Sequence, residues 1–417
     1  MEMSEKGRSI FEILNNIDSF FPKKLYQPDG FANNGKNQGE IIDQLDNLLK
    51  SDLSYSSGKI LGAMTTEPHE FAKLVYAKYM NRNLGDRGIN PGTAEIEHKT
   101  ISLLGNLLGD NNIQGNMTSG GTEANLIAMY LAKQSKPYVK NPSIVIPESA
   151  HYSFDKAAAL MGLQLRRARL QQDYELDLNH YESLIDENTV GLVGIAGTSS
   201  LGLVDPIDKI SQFARDYQIY LHVDAAFGGL VLPFMEKFGY YYPTFDFRNP
   251  EVCSMTVDPH KMGMGVNPSG AILVRNSNTI HSKFEIPYLA GGSFKSFNIL
   301  GTRPGAPAIA FWALLQFLGK DGFIKITKSC WENTLYLANQ ITQIPEVKIA
   351  TTPQMNVLGL KLTSKASINF DQFDSRLRAK GWALGKFSQW NVLRVVMMPH
   401  VKRDHLKSFI SDLKAIF

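Results

Sequence analysis

The stretch IYLHVDAA, residues 219–226, indicates the fold of this chain. Its apolar run is typical of a buried strand in a parallel sheet, and Asp224 falls at the carboxyl end, where α/β sheets place their ligands. A buried carboxylate is costly unless it is paired, for example with a protonated ring nitrogen. Ala226 and the alanine before it leave room for a flat ring. The alternative is an aspartate that caps the following loop, which is the commoner use of Asp at a strand end.

A second apolar run, VCSMTV (252–257), is followed closely by Lys261 and then by MGMG (262–265). Glycines there let the backbone pass close to a ligand. A second strand end therefore presents an amine. Burial beside another cation would lower the lysine pKa, so that the amine can attack a carbonyl. The alternative is an exposed lysine at a strand–loop junction.

The segment TSGGTEAN (118–125) opens a helical pattern. Gly120 and Gly121 before a helix N-terminus suit a phosphate, because free backbone N–H groups and the helix dipole point at the anion. Ser119 and Thr122 add hydroxyl donors. The competing interpretation is a plain helix cap with Thr122 at the N-cap. The apolar positions of the predicted helix are Ala124, Ile127, Ala128, Leu131 and Ala132.

His151 follows the apolar run SIVIP (143–147), and its ring could stack on a planar cofactor. A buried histidine bonded to a backbone carbonyl is the alternative. A phosphate loop, a histidine, an aspartate and a lysine thus each follow a candidate strand. Pyridoxal phosphate needs a lysine amine for its aldehyde and an acid for its ring nitrogen. The four features together therefore predict a pyridoxal-phosphate site.

With these residues, the chain resembles the pyridoxal-phosphate-dependent group II amino-acid decarboxylases of fold type I, from about Gly85 to Val401. Within that family it is most similar to the archaeal-type tyrosine and aspartate decarboxylases, which share GTAEIE (92–97), VDAAFGG (223–229) and DPHKMG (258–263). The resemblance implies an α/β fold: a large, mostly parallel sheet with helices on both faces, and a small α+β C-terminal domain. It also implies a homodimer with active sites at the subunit interface.

The resemblance carries roles over to residues of this chain. It implies that Lys261 bonds the cofactor aldehyde, that Asp224 pairs with the ring nitrogen and that His151 stacks on the ring face. His260 would reach the phosphate or act in proton transfer. Further predicted contacts of the cofactor are Ser119, Gly120, Gly121, Thr122, Ala226, Thr302 and Arg303.

Substrate binding and proton return are assigned by the same resemblance. NVLRVVMMPH (391–400) matches the segment that supplies an arginine to the substrate carboxylate, and the planar fork of Arg394 suits that task. The alternative is an arginine in a surface ion pair. Tyr288 is the candidate for returning a proton to Cα. Arg303, beside Thr302 in GTRPG (301–305), either reaches the neighbouring subunit's cofactor phosphate or pairs with an acidic residue of its own subunit.

These residues favour decarboxylation of an L-amino acid to the amine and carbon dioxide, with tyrosine ahead of aspartate and glutamate. The strongest alternative is a retro-aldol carbon–carbon lyase, because AGGSFKS (290–296) and GTRPG look like sphingosine-phosphate lyases. Those enzymes tend to have cysteine where Ala226 stands. A transaminase is disfavoured by His151 together with DPHK (258–261). A catalytically silent scaffold is disfavoured because Lys261, Asp224 and Arg394 are all present.

Composition narrows the class of protein. The chain has 417 residues, of which 43% are hydrophobic and 20% charged, as in ordinary globular proteins. The formal charge of +3 and the lack of a basic run argue against nucleic-acid binding. Two cysteines, Cys253 and Cys330, provide neither a disulfide framework nor a metal cluster, which favours a reducing cytoplasm.

The pattern along the chain predicts its domains. Residues 1–60 read as an N-terminal arm without the apolar core of a signal peptide. Residues 61–304 alternate apolar runs with helical patterns and predict the large cofactor-binding domain. Residues 305–343 predict connecting helices, of which 306–318 is too short to span a bilayer. Because that apolar segment is too short, we expect no membrane partner. Residues 344–417 predict the small C-terminal domain.

Overall fold

The structure is a computed structural model that describes residues 30, 33–275, 284–296 and 298–417. It divides into two compact units between Asp52 and Leu53, whereas the predicted arm extends to residue 60. The described part of the first unit contains one helix, α1 (Gln38–Leu49), and Asn37 caps its N-terminus by accepting from the Glu40 N–H at 2.9 Å.

The second unit contains the remaining described elements. Its helices are α2 (Glu70–Tyr79), α3 (Pro91–Leu107), α4 (Gly121–Ser135), α5 (Ser153–Met161), α6 (Leu178–Ser183), α7 (Ile207–Asp216), α8 (Leu232–Met235), α9 (Ala306–Ile341), α10 (Phe370–Ala379) and α11 (Arg403–Lys414). Its strands are β1 (Ile113–Thr118), β2 (Ser143–Pro147), β3 (Gln164–Ala168), β4 (Thr189–Ile195), β5 (Tyr220–Asp224), β6 (Val252–Val257), β7 (Gly270–Arg275), β8 (Phe284–Leu289), β9 (Gly292–Ser296), β10 (Val347–Ile349), β11 (Val357–Leu362), β12 (Gly385–Phe387) and β13 (Val392–Val396).

A large sheet organises the second unit. Its described strands run in the order β1-β7-β6-β5-β4-β2-β3. Strands β2 to β6 pair in parallel, whereas β7 is antiparallel to both of its neighbours, β1 and β6. In the described part of the chain, β1 pairs with β7 alone. The predicted α/β class is therefore confirmed, and the predicted strands 143–147 and 252–257 occur as β2 and β6.

Apolar clusters cover both faces of this sheet. Ile144 of β2 packs in a cluster with Ile127 of α4, while its neighbour Val145 packs in another cluster with Ile210 of α7. Successive strand residues point to opposite faces, so this alternation shows helices on both sides. Every residue of β4 is buried, as expected for a parallel strand covered twice.

Helix α4 begins two residues earlier than a Thr122 cap would place it. Gly120 occupies the N-cap position, without a side-chain hydrogen bond to the helix, and Gly121 is the first helical residue. The interpretation of Thr122 as the N-cap is therefore wrong. The predicted apolar positions of this helix are all buried in the core.

Helix α9 and a small antiparallel sheet follow the large sheet. Gly319 interrupts α9 with a left-handed φ of 56°, a conformation that glycine adopts without strain. The small sheet has the order β10-β11-β13-β12. Strands β11 and β13 are mostly buried on both faces. The reason is that Val392 packs against Leu201 while α9 contacts β11. None of the described helices is long and apolar enough to cross a membrane.

Candidate active site

A cavity of about 250 Å³ lies at the carboxyl ends of the central parallel strands. Strands β4, β5 and β6 meet there because neighbouring parallel strands end at the same edge. The sequence-predicted residues that line the cavity are Ser119, Gly120, Gly121, Thr122, His151, Asp224, Ala226, His260 and Lys261. The other residues in its wall include Met64, Asn125, Ser149, Ser199 and Asp258.

Asp224 ends β5 with a carboxylate that is held at both oxygens. Oδ1 accepts from the Ala226 N–H at 3.1 Å, and Oδ2 accepts from Asn125 Nδ2 at 2.9 Å. The first bond is the loop cap that the sequence allowed as an alternative, and it occupies one oxygen only. The side chain is 6% exposed, and its hydrogen-bond donors among the described residues are neutral. A cationic ring N–H is therefore the partner that this carboxylate can accommodate.

Lys261 and Asp258 form an ion pair beside the cavity. Lys261 Nζ lies 3.0 Å from Asp258 Oδ2, and the two side chains are 18% and 2% exposed. Asp258 Oδ1 is buried and has no hydrogen-bond partner among the residues that the structure describes. A buried acceptor without a donor is uncommon in native proteins and points to a group that the protein binds. The lysine amine is thus held at the cavity wall by an acid whose hydrogen bonding is incomplete.

His260 lies between this ion pair and the glycine loop. Its Nδ1 accepts from the Ser269 N–H at 3.1 Å, and its Nε2 is 3.6 Å from Asp258 Oδ2. Burial lowers the pKa of His260, so the ring is mainly neutral near pH 7 with its proton on Nε2. In that state His260 can donate one hydrogen bond toward the cavity or toward Asp258.

The glycine loop lets the backbone approach these side chains. A Cβ at Gly120 would lie 3.0 Å from His260 Cε1, and one at Gly121 would lie 2.9 Å from Asp258 Oδ2. Gly120 also has a φ of 151°, which L side chains rarely adopt. The Ser119 N–H donates to Glu123 at 2.7 Å and is not free for an anion. Ser119 can therefore contribute its hydroxyl to a phosphate but not its backbone donor.

His151 contributes its ring to the wall of the cavity. Its Nδ1 accepts from the Ser153 N–H at 3.2 Å, which fixes the ring orientation. Burial lowers the pKa of His151, so the ring is mainly neutral near pH 7. The Tyr152 ring is centred 4.2 Å away. A neutral, oriented ring is suited to stacking on a flat ligand.

Arg394 lies behind the cavity and does not line it. From β13 it donates to the backbone carbonyls of Ser199 and Gly62, while its Nε is buried without a partner. Burial lowers its pKa to about 10. No carboxylate pairs with it among the residues that the structure describes, so the predicted alternative of a surface ion pair is wrong. Ser199, to which it bonds, is part of the cavity wall.

Three predicted residues lie away from the cavity. Arg303 is 5% exposed and pairs with Glu97 at 2.7 Å, so the structure shows the intrachain alternative. This corrects the assignment of Arg303 to the cofactor, because Glu97 and the Met117 carbonyl occupy its guanidinium. Thr302 is exposed, and Tyr288 on β8 is 84% exposed. Neither lines the cavity of its own chain, and their roles stay predictions.

Sequence reasoning assigned no role to two residues that the structure brings to the centre. Asn125 lies on the first turns of α4, inside the phosphate-loop motif, and Asp258 opens the lysine motif. For Asp258 the available signal was its position directly after β6. Met64 and Ser199 come from irregular segments, and no periodic pattern marks them.

The residues present fit pyridoxal phosphate. Lys261 supplies an amine, Asp224 a buried acid, His151 a stacking ring and the glycine loop a cradle that a Cβ would fill. The incomplete hydrogen bonding of Asp258 and of the Ser149 hydroxyl leaves polar capacity for a ligand. Bound there, the cofactor supplies an electron sink for the electrons left when a bond to Cα breaks.

Comparison with known proteins agrees with this site. Residues 23–363 match the family model of the pyridoxal-dependent decarboxylase conserved domain. The chain is 42% identical over 387 residues to an L-aspartate decarboxylase of Thermococcus kodakarensis, which covers 93% of this chain and 99% of the relative. It is 40% identical over 365 residues to a probable L-tyrosine/L-aspartate decarboxylase of Methanothermobacter thermautotrophicus, with 87% and 99% covered.

Solved structures share the fold. A sphingosine-1-phosphate lyase of Burkholderia pseudomallei superimposes with a TM-score of 0.85 at 26% identity, covering 93% of this chain and 92% of that one. A glutamate decarboxylase of Lactobacillus brevis gives 0.84 at 22% identity, covering 94% and 95%. Since the family match spans most of the chain and includes the cavity residues up to Lys261, the chain belongs to the pyridoxal-dependent decarboxylase family and is a pyridoxal-phosphate-dependent carboxy-lyase of amino acids.

Proposed function

We propose that this enzyme removes the α-carboxyl group of L-aspartate and releases carbon dioxide and the amine. The names of its relatives support aspartate: they include an L-aspartate decarboxylase, an L-aspartate/L-glutamate decarboxylase of Pyrococcus horikoshii and a probable L-tyrosine/L-aspartate decarboxylase. The sequence alone put tyrosine first, and these relatives reverse that order. Tyrosine and glutamate remain the next candidates.

The main support for a substrate with a carboxylate is that the buried guanidinium of Arg394 has no acidic partner among the described residues. A buried guanidinium normally has an acidic partner, because burying an unpaired charge is costly. Here its described partners are two backbone carbonyls, and Nε has none. A carboxylate that enters past Ser199 would complete this fork with paired hydrogen bonds. Arg394 would then orient the substrate from behind the cavity wall.

The cavity residues divide the remaining tasks. Lys261 would hold the cofactor aldehyde until the substrate amine replaces it, and Asp224 would keep the ring nitrogen protonated. His151 would cover one face of the ring. The loop at Gly120 and Gly121, with His260 beside it, would hold the phosphate. The protein's part is thus to orient the carboxylate, exclude water and hold one proton at the ring nitrogen.

We extend the proposal to a cytoplasmic homodimer in which each chain completes the site of the other. The position of Tyr288 supports this, because its side chain is 84% exposed on the two-stranded sheet β8–β9 and does not line the cavity of its own chain. A tyrosine so placed can return a proton to Cα only in a neighbouring subunit. Thr302 would contact the neighbour's phosphate in the same way.

The test is product analysis by mass spectrometry with purified holoenzyme. The substrates are aspartate, glutamate, tyrosine, dihydroxyphenylalanine and a phosphorylated sphingoid base, each offered separately. Carbon dioxide with the amine of aspartate as the preferred product supports the proposal, and preference for tyrosine overturns the substrate. An aldehyde with phosphoethanolamine and no carbon dioxide would instead establish the retro-aldol alternative, which the lyase of similar fold keeps open.

A further inference from the structure

A chain of buried hydrogen bonds runs from the interior of the sheet to Asp224. Asn125 Nδ2 donates to Asp224 Oδ2 at 2.9 Å. Asn125 Oδ1 receives bonds from Thr256 Oγ1 at 2.6 Å and from His222 Nε2 at 3.0 Å. His222 Nδ1 lies 2.8 Å from Ser254 Oγ. The chain thus links α4, β5 and β6 beneath the carboxylate.

The donors in this chain can point in one direction only. Burial lowers the pKa of His222 to about 4, so the ring is neutral and carries one proton. Asn125 Oδ1 can only accept, and therefore the His222 proton is on Nε2. Nδ1 then accepts from the Ser254 hydroxyl. Every hydrogen bond in the chain consequently points toward Asp224.

Asn125 cannot reverse its amide in this setting. A flip would turn Oδ1 toward the Asp224 carboxylate and Nδ2 toward the donors of Thr256 and His222. The second hydrogen of Nδ2 is also used, by Ser153 Oγ at 2.9 Å. Asn125, His222 and Thr256 are each no more than 1% exposed, so water cannot replace a lost partner. The Asp224 carboxylate, which can only accept, therefore decides which way the amide points, and Thr256 and His222 hold Oδ1 in that position.

We infer that Asn125 is a positioning residue: it fixes the Asp224 carboxylate and, through it, the proton on the cofactor's ring nitrogen. Thr256 and His222 act by orienting the Asn125 amide. The inference deepens the proposed function, since it rests on Asp224 facing that nitrogen. This series of hydrogen bonds stabilises the Asp224 carboxylate with neutral dipoles, and no cation among the described residues pairs with it. The negative charge thus remains available to pair with a ring cation.

The competing explanation is that these side chains only hold α4 against β5 and β6. The two explanations differ in what a lost hydrogen bond changes. If Asn125 positions Asp224, the carboxylate with one donor fewer competes more strongly for the ring proton. If the chain is only structural, stability falls and the ring proton does not move.

The test uses four isosteric or conservative variants as holoenzymes: Asn125→Leu, Thr256→Val, Thr256→Ser and Thr334→Val. Thr334 is the matched control, because it is also fully buried and its hydroxyl bonds to the Cys330 carbonyl within α9, away from the cavity. The readouts are the nitrogen-15 chemical shift of bound cofactor labelled at the ring nitrogen, its dissociation constant and the thermal unfolding midpoint. None of these depends on turnover.

We expect Asn125→Leu to move the nitrogen-15 shift toward the unprotonated form and to weaken cofactor binding about 10-fold. Thr256→Val should move the shift in the same direction by less, and Thr256→Ser should restore it. Thr334→Val should change only the unfolding midpoint. If Asn125→Leu does not fold, the two Thr256 variants decide the question.

An unchanged nitrogen-15 shift in Asn125→Leu or Thr256→Val, with stability lowered as in Thr334→Val, would overturn the inference. Asp224→Asn distinguishes this from failure of the proposed function. If Asp224→Asn moves the shift and the network variants do not, Asp224 keeps its role and only the inference fails. If Asp224→Asn also leaves the shift unchanged, Asp224 does not face the ring nitrogen and both proposals fail.

Discussion

Two buried acid–base pairs, Asp258–Lys261 and Glu97–Arg303, differ in how completely their atoms are bonded. Glu97 accepts from Arg303 at 2.7 Å, from Arg87 at 3.3 Å and from the Met117 N–H at 2.9 Å. Asp258 binds Lys261 at 3.0 Å and leaves Oδ1 without a partner. The sequence motifs assigned Lys261 to the cofactor and left Arg303 between a cofactor contact and an ion pair within its own subunit. The two pairs differ in that Asp258, at the cavity, has an oxygen that can still accept a hydrogen bond.

The physical basis of this difference is the cost of burial. A buried ion pair is tolerated when its remaining lone pairs and protons are satisfied, as those of Glu97 are. An acceptor that is left over costs free energy unless something binds it. The Glu97 cluster thus fixes the segment around Arg303 against β1, whereas the Asp258 pair keeps an amine ready at the cavity.

The largest effect should follow from removing the amine. Lys261→Ala should lower kcat by about 10⁴-fold or more, because the lysine serves the cofactor. The variant should still fold, with a lowered unfolding midpoint, because buried Asp258 loses its cation. Turnover and circular-dichroism melting check this, with the exposed Lys320→Ala as the matched control. Substantial residual turnover in Lys261→Ala would remove it from the site and erase the contrast with Arg303.

Breaking the second pair should affect stability instead. Arg303→Met leaves a buried carboxylate short of a partner, so the free energy of unfolding should fall by about 3–5 kcal/mol. The kcat of the folded enzyme and its cofactor affinity should stay within about twofold. Chemical denaturation and cofactor titration measure both. Weaker cofactor binding at unchanged stability would return Arg303 to the site and show that complete bonding does not identify structural pairs.

Asp224 is a third buried carboxylate, and it accepts hydrogen bonds from the neutral donors of Asn125 and Ala226. Asp224→Asn should reduce kcat about 100-fold, or about 2.7 kcal/mol, because a neutral amide no longer stabilises a protonated ring nitrogen. Steady-state kinetics with saturating cofactor measure the loss. Near-normal rates would show that this buried carboxylate has a loop-capping role alone.

Arg394 is the corresponding case for a cation without an acid. Arg394→Lys keeps the charge and loses the planar fork, so KM should rise about 10-fold with cofactor affinity unchanged. Substrate titration of the holoenzyme tests this, and Arg378→Lys serves as a control because Arg378 pairs with Asp374 on α10, in a half-exposed pair. An unchanged KM together with lower stability would place Arg394 among the structural arginines.

The strand ends could be predicted from sequence because each signal is local. An apolar run followed by a polar residue is visible within ten positions, and Asp224, His151 and Lys261 were found in this way. An intrachain ion pair of Arg303 was one of two predicted alternatives, but its partner could not be predicted, since Glu97 lies far away in the chain and no local pattern links them. The same holds for Asn125, whose partners come from β5 and β6.

The arrangement of β1 at the edge of the large sheet bears on how the protein is made. Among the described strands, β1 has β7 as its sheet neighbour, and their registers pair Thr118 with Gly270. A ribosome adds about 5–20 residues each second, so roughly 8–30 s separate the synthesis of these two residues. During that interval β1 lacks the strand with which it pairs in the described structure. The glycine loop after β1 therefore reaches its place against Gly270 only after β7 has been synthesised.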